Sequence, residues 1–73
     1  MAQFIGRMAT FDHANGYGFI RRGGVPDLFV PHSAVKEDGH RPPSSGDVVG
    51  FDVVQGEKGP QAANVFIISR NRE

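Results

Sequence analysis

The apolar residues of this chain recur at every second position in short runs, and nowhere keep a helical spacing for longer than a turn. A strand sends successive side chains to opposite faces, so period-two runs predict half-buried strands. They fall at about 4–12, 16–22, 27–31, 47–55 and 61–69. Turn chemistry separates them: "DHANG" (12–16), "RRGGVP" (21–26), the long "PHSAVKEDGHRPPSSG" (31–46) and "QGEKGP" (55–60). Within the long break, "SAVKE" predicts one helical turn, and Pro42-Pro43 is rigid and cannot join a ladder. Five short strands in one open sheet would leave long edges exposed. The expectation is therefore all-β: a small five-stranded antiparallel β-barrel of the OB type.

Alternation also sorts the faces. Met8, Ile20, Leu28, Val30, Val49, Phe51, Val53, Val65 and Ile67 form a coherent core set, with Ala63 on the same side of its strand as Val65. Tyr17, Phe19 and Phe29 fall on the opposite, wet face, with Gly18 beneath them. Exposed rings grouped on adjacent strands mark a binding surface. The competing reading packs them under the 31–46 segment as a satellite cluster.

Composition narrows the function classes. The 73 residues make one domain and contain no cysteine, so disulfides, thiolate metal sites and a cysteine nucleophile are excluded. Eight Lys+Arg balance eight Asp+Glu, which argues against binding dominated by electrostatics. Single strands can still be held by stacking. No apolar run approaches the roughly 20 residues of a membrane span. The start, "MAQFIGRMATF", lacks signal-peptide character, so a cytoplasmic location is expected.

The pieces "GYGFI", "DLFVPHSAV" and "GPQAANV" together resemble the bacterial cold-shock domain. The likeness runs from about Gly6 to Val65, leaving 66–73 as a short C-terminal extension of a single domain over 1–73. It implies a five-stranded OB barrel that binds single-stranded RNA and DNA, with pyrimidine-rich strands preferred, and no cofactor. It further implies an RNA-chaperone-like or transcription-modulating role. Its two ribonucleoprotein-type motifs correspond to Asn15-Gly16-Tyr17-Gly18-Phe19 and Leu28-Phe29-Val30-Pro31-His32. The implied contacts are Phe11, Tyr17, Phe19 and Phe29, with Asn15, His32, His40, Arg41 and Lys58 as secondary ones.

The departures concentrate on that face. Ala9 and Thr10 stand where the family usually has lysine and tryptophan, Asn15 where it has lysine, and Pro31 and His32 where it has histidine and an aromatic. His40 replaces a common aromatic after Gly39. Two lost stacks would remove about 2–6 kcal/mol if additive, so weakened affinity is expected.

Other constellations carry less. His32 and His40, with Glu37 and Asp38 between them, read as weaker stacking rings rather than metal ligands. Asp12-His13 reads as a turn, not an acid–base pair, and no serine sits in a glycine-framed elbow, so no enzyme is expected. Arg21-Arg22 and Lys36 read as solvated loop charges, and Arg41 as a guide for a phosphate. Phe66 and Ile68 should face outward, packing across the barrel or forming a homodimer contact of an otherwise monomeric protein. The rival function is a barrel serving mainly as a protein-interaction or homo-oligomer module.

Overall fold

Five strands form close to the expected places in a computed structural model that describes residues 4–36 and 42–71. They are β1 (Phe4–Asp12), β2 (Tyr17–Arg21), β3 (Leu28–Pro31), β4 (Val48–Gly56) and β5 (Gly59–Ser69). The helical turn expected over 33–37 starts one residue earlier, as a 3-10 turn at His32–Ala34. It stops there because Val35 returns to extended geometry and bridges Val65 of β5. Among the described residues no helix is long and apolar enough to cross a membrane. His40 and Arg41 lie outside the described residues, as do Glu37 and Asp38.

The strands close into a barrel in the order β1-β2-β3-β5-β4. Pairs β1–β2, β1–β4, β2–β3 and β4–β5 are antiparallel, as hairpin alternation predicts. The closing pair, β3–β5, is parallel. Parity requires it: strand direction cannot alternate all the way round a ring with an odd number of members.

The pairing register shifts in three places, once between β1 and β2 and twice between β4 and β5, at Val48/Val49 and at Gly50/Asp52. In β1, Met8 pairs with Ile20 but Thr10 with Phe19, so Ala9 is an extra residue. Strict alternation from Met8 would turn Thr10 inward, whereas the bulge turns Thr10 out and Phe11 in. In β5, Gly50 pairs with Phe66 but Asp52 with Ala63, leaving one residue over on β5. Asn64 absorbs it with φ 53°, a left-handed conformation that asparagine tolerates, and its amide donates to Asp52 Oδ2 at 3.0 Å. The core contact from this stretch is consequently Ala62 and not Ala63, since it stands three positions rather than two before Val65.

Met8, Ile20, Leu28, Val30, Val49, Phe51, Ala62 and Val65 are buried together. Fully burying side chains of this size contributes about 1.5–3 kcal/mol for each of the larger ones. Val53 and Ile67, expected in the same core, are only half-buried against it, and each sits beside one of the two β4–β5 register shifts.

The C-terminal stretch is tied down by one buried acid. Asp47 is 1% exposed. Its carboxylate accepts from the backbone N–H groups of Ser44 at 2.9 Å and Asn71 at 2.7 Å, and from Arg70 Nη1 at 3.4 Å. Buried charge is stable only when paired and hydrogen-bonded, and this one is both. The end of β5 is thereby fastened to the turn that feeds β4.

Candidate nucleic-acid interface

The register of four strands assembles one outward row: Thr10 opposite Phe19, Phe19 opposite Phe29, and Phe29 beside Gln61 across the parallel seam. A second row, Asp12–Tyr17–Pro31, runs next to it. Tyr17, Phe19 and Phe29 meet as a triangle of rings with centroids 6.0–6.2 Å apart. Phe19 meets both other rings nearly edge-on, which aromatic quadrupoles favour. Tyr17 is 39% exposed, and Phe19 and Phe29 are half-buried. This is a fixed, partly open aromatic platform.

Gly18 makes the platform possible from beneath. A Cβ there would collide with the Thr10 carbonyl oxygen and lie 2.6 Å from Cδ1 of Phe11. The inner space at Gly18 is thus filled by the Phe11 ring, which packs on the core and meets His13 edge-on at 5.2 Å. Of the four aromatic residues expected to bind, three share the outer face, while Phe11 supports it from within.

The 12–16 turn delivers Tyr17. Asp12 accepts from Ala14 N–H at 3.0 Å and Asn15 N–H at 3.1 Å, while the Asn15 side-chain amide donates to its second oxygen at 2.7 Å. The Asn15 amide beside it, then the backbone donors, hold the Asp12 carboxyl below its ordinary value. Gly16 completes the turn at φ 77°. Its carbonyl accepts from His32 N–H at 2.8 Å, which brings His32, exposed, next to the turn. Asn15 thus commits its backbone N–H and one amide N–H to the turn, and has its second amide N–H and its carbonyl oxygen to offer a ligand.

At the other end of the platform, Phe29 forms one wall of a groove of about 590 Å³. Gln55, Gly56, Glu57, Lys58 and Gln61 complete it. Lys58, at the tip of the β4–β5 hairpin, offsets Glu57, so the groove carries little net charge. Gln55 and Gln61 were not legible as site residues: the pairing of β3 with β5 is what sets them beside Phe29. Thr10 and Pro31 occupy the two outward positions flanking the rings with no aromatic surface of their own.

A closed five-stranded barrel whose outer face carries two aromatic motifs on adjacent strands defines an OB-type nucleic-acid-binding class of protein. The family model described as "'Cold-shock' DNA-binding domain" matches residues 4–68. Cold shock-like protein CspC of Bacillus cereus is 47% identical over 60 residues, covering 82% of this chain and 92% of that protein. Cold shock protein CspA of Staphylococcus aureus (strain USA300) is 45% identical over 60 residues, covering 82% and 91%. Among solved structures, the Drosophila Unr CSD456 structure superposes with a TM-score of 0.70 at 28% identity, covering 94% of this chain and 28% of that one. The chain belongs to the cold-shock domain family.

Proposed function

We propose that this barrel binds single-stranded RNA and DNA by stacking successive bases on Tyr17, Phe19 and Phe29. The observation that carries the reading is the ring triangle, held rigidly on the outer face of β2 and β3. A base in a single strand exposes a π face, and each base–aromatic stack contributes about 1–3 kcal/mol. Stacking needs little net charge, which suits a chain with balanced acids and bases. Pyrimidine-rich strands are the preferred ligand, and the cellular consequence is to loosen weak RNA structure or modulate transcription in the cytoplasm. The activity is binding rather than chemistry.

Secondary contacts come from Lys58, His32 and Asn15, and from His40 and Arg41. Phe11 contributes by holding the platform flat from beneath. Thr10 and Pro31 remove two of the stacking positions that the family resemblance implies, so affinity is reduced and the footprint shortened.

A second reading is favoured by one observation. Elsewhere on the barrel surface, Ile5, 72% exposed, and Phe66 flank Gly50 across β1, β4 and β5, and Ile68 is exposed on the same side of β5 as Phe66. Self-association through that face would make the barrel an oligomer module.

The test is fluorescence anisotropy of a labelled pyrimidine strand of about ten nucleotides, at two salt concentrations, alongside light scattering. Phe19→Ala and Phe29→Ala should each weaken binding by about 1–3 kcal/mol, roughly 5- to 150-fold, while leaving the circular dichroism unchanged. If neither weakens binding, and light scattering shows self-association that Ile5→Ser and Phe66→Ser abolish, the oligomer reading takes over.

A further inference from the structure

A second concentration of chemistry lies at the far end of β2 from Tyr17. The outward positions along β2 are Tyr17, Phe19 and Arg21, so the side chain after the two rings is a guanidinium. Arg21 stands opposite Arg7 in the β1–β2 ladder, and Arg22 follows it. These are not dispersed loop charges: Arg21 closes a strand, and Arg22 is half-buried.

The three arginines rim a groove of about 410 Å³ whose apolar floor includes Phe4, Val48 and Phe51. Arg7 and Arg21 also line a second groove, of about 320 Å³, that passes the Ala9 bulge and Gly46. Ala9 adjoins Thr10, the first member of the row that contains Phe19, so this groove leads back toward the aromatic platform. Among the described residues, no acidic side chain lines either groove.

Like charges directly opposite one another destabilise a ladder unless something neutralises them. Here the described partners do not. Arg7 Nη1 donates to the Gly46 carbonyl at 2.8 Å and Arg22 Nη2 to the Pro26 carbonyl at 3.1 Å. These bonds hold Arg7 and Arg22 to neutral carbonyls, and among the described residues no acid compensates their charge. Arg22 Nε is buried with no acceptor. A guanidinium offers five N–H donors in a planar fork matched to a phosphate. The ion pair between described residues is Arg70–Asp47, which involves none of the three.

We propose that Arg7, Arg21 and Arg22 form a binding site for backbone phosphates of the strand that stacks on Phe19. This rests on the stacking reading above. Arg21 lies two residues beyond Phe19, roughly 7 Å along the strand, so an arginine side chain reaches phosphates next to a base on that ring. The strand leaving the platform is thereby drawn along β1 and β2 and not only toward the Lys58 groove.

The experiment compares pyrimidine strands of about four and about ten nucleotides, each titrated across a range of salt, with the wild type and two variants. One variant combines Arg7→Gln, Arg21→Gln and Arg22→Gln, which keep amide donors. The other is Arg21→Gln alone, a side chain that makes none of the described hydrogen bonds and so serves if the triple variant unfolds. For the longer strand, the slope of log affinity against log salt should fall by about 2 in the triple variant and about 0.7 in the single one. The four-nucleotide strand, which carries only the phosphates beside the rings, should show a smaller fall in slope than the longer one, by less than about 1 in the triple variant. Equal slopes and affinities for the longer strand, with both lengths bound by the wild type, would overturn the site and spare the stacking reading. A wild type that binds neither length overturns both. Inorganic phosphate is added at constant ionic strength as a third arm. Phosphate binding that the variants lose, without any variant effect on the strands, would assign the arginines to a free anion and overturn the proposal.

Discussion

Thr10 stands directly opposite Phe19 across the β1–β2 ladder, exposed and on the same outward face. Directly opposed residues hold their Cβ atoms about 5 Å apart, so a large side chain at Thr10 would lie beside the Phe19 ring. The threonine supplies a methyl and a hydroxyl there, and the platform ends one ring early.

Thr10→Trp should extend it. The expected gain for a pyrimidine strand is about 1–3 kcal/mol, or roughly 5- to 150-fold in Kd. The chain has no tryptophan of its own, so the new indole should also report binding by fluorescence quenching. An unchanged Kd would show that the missing ring is not what limits affinity.

Gly18→Ala should be costly although the side chain added is one methyl. The new Cβ would meet the Thr10 carbonyl and the Phe11 ring, neither of which can swing clear without moving β1. Overpacking of this kind costs about 1–3 kcal/mol. In a domain of this size each kcal/mol lowers Tm by about 4–8 °C, which thermal unfolding measures directly. A variant as stable as the wild type would contradict the close packing of Phe11 on Gly18.

Asp12 gives the 12–16 turn an acid limit. The Asn15 amide and the backbone donors favour its ionised form, so its folded pKa lies below the ordinary 3.8. The unfolded chain then takes up the proton more readily than the folded one. Its contribution to stability is complete above the ordinary value and is lost as pH falls through the depressed one. Asn15→Ala should raise the Asp12 carboxyl toward its ordinary value, seen by carbon NMR titration, and move the acid-unfolding midpoint upward. A midpoint and a titration curve both unchanged would remove Asn15 as the cause.

Asp47→Ala should loosen the end of β5. It would leave the part-buried N–H groups of Ser44 and Asn71 without their acceptor and release Arg70. Each lost hydrogen bond costs about 1 kcal/mol, since donors that are only part-buried can turn to water. Urea unfolding should report the loss, and hydrogen exchange should localise it to residues 44–47 and 69–71. Because this clamp lies away from the ring triangle, base stacking should persist wherever the variant remains folded.

The strands themselves, and the outward placement of Tyr17, Phe19 and Phe29, were legible in the sequence. Beta2 and β3 are short and carry no bulge, so the pleat alone decides which side chains share a face. The core residues Leu28, Val30, Val49 and Phe51 follow from the same rule. Where a strand takes an extra residue the rule fails. Phe11 and Ala62 are inside because Ala9 and Asn64 shift the phase, and neither residue announces that it will do so.

By itself, then, the sequence determined what is local: strand, turn, and the face of every residue within an unbroken run. Only the tertiary structure decided what depends on a partner distant in the chain. An odd ring of strands forces the parallel seam that brings Gln61 to Phe29. The β1–β2 register brings Arg7 to Arg21, and the turn before β4 captures Asn71 through Asp47. Alternation is a property of one backbone, whereas register and closure are properties of pairs, set by which strands can be joined without leaving an edge.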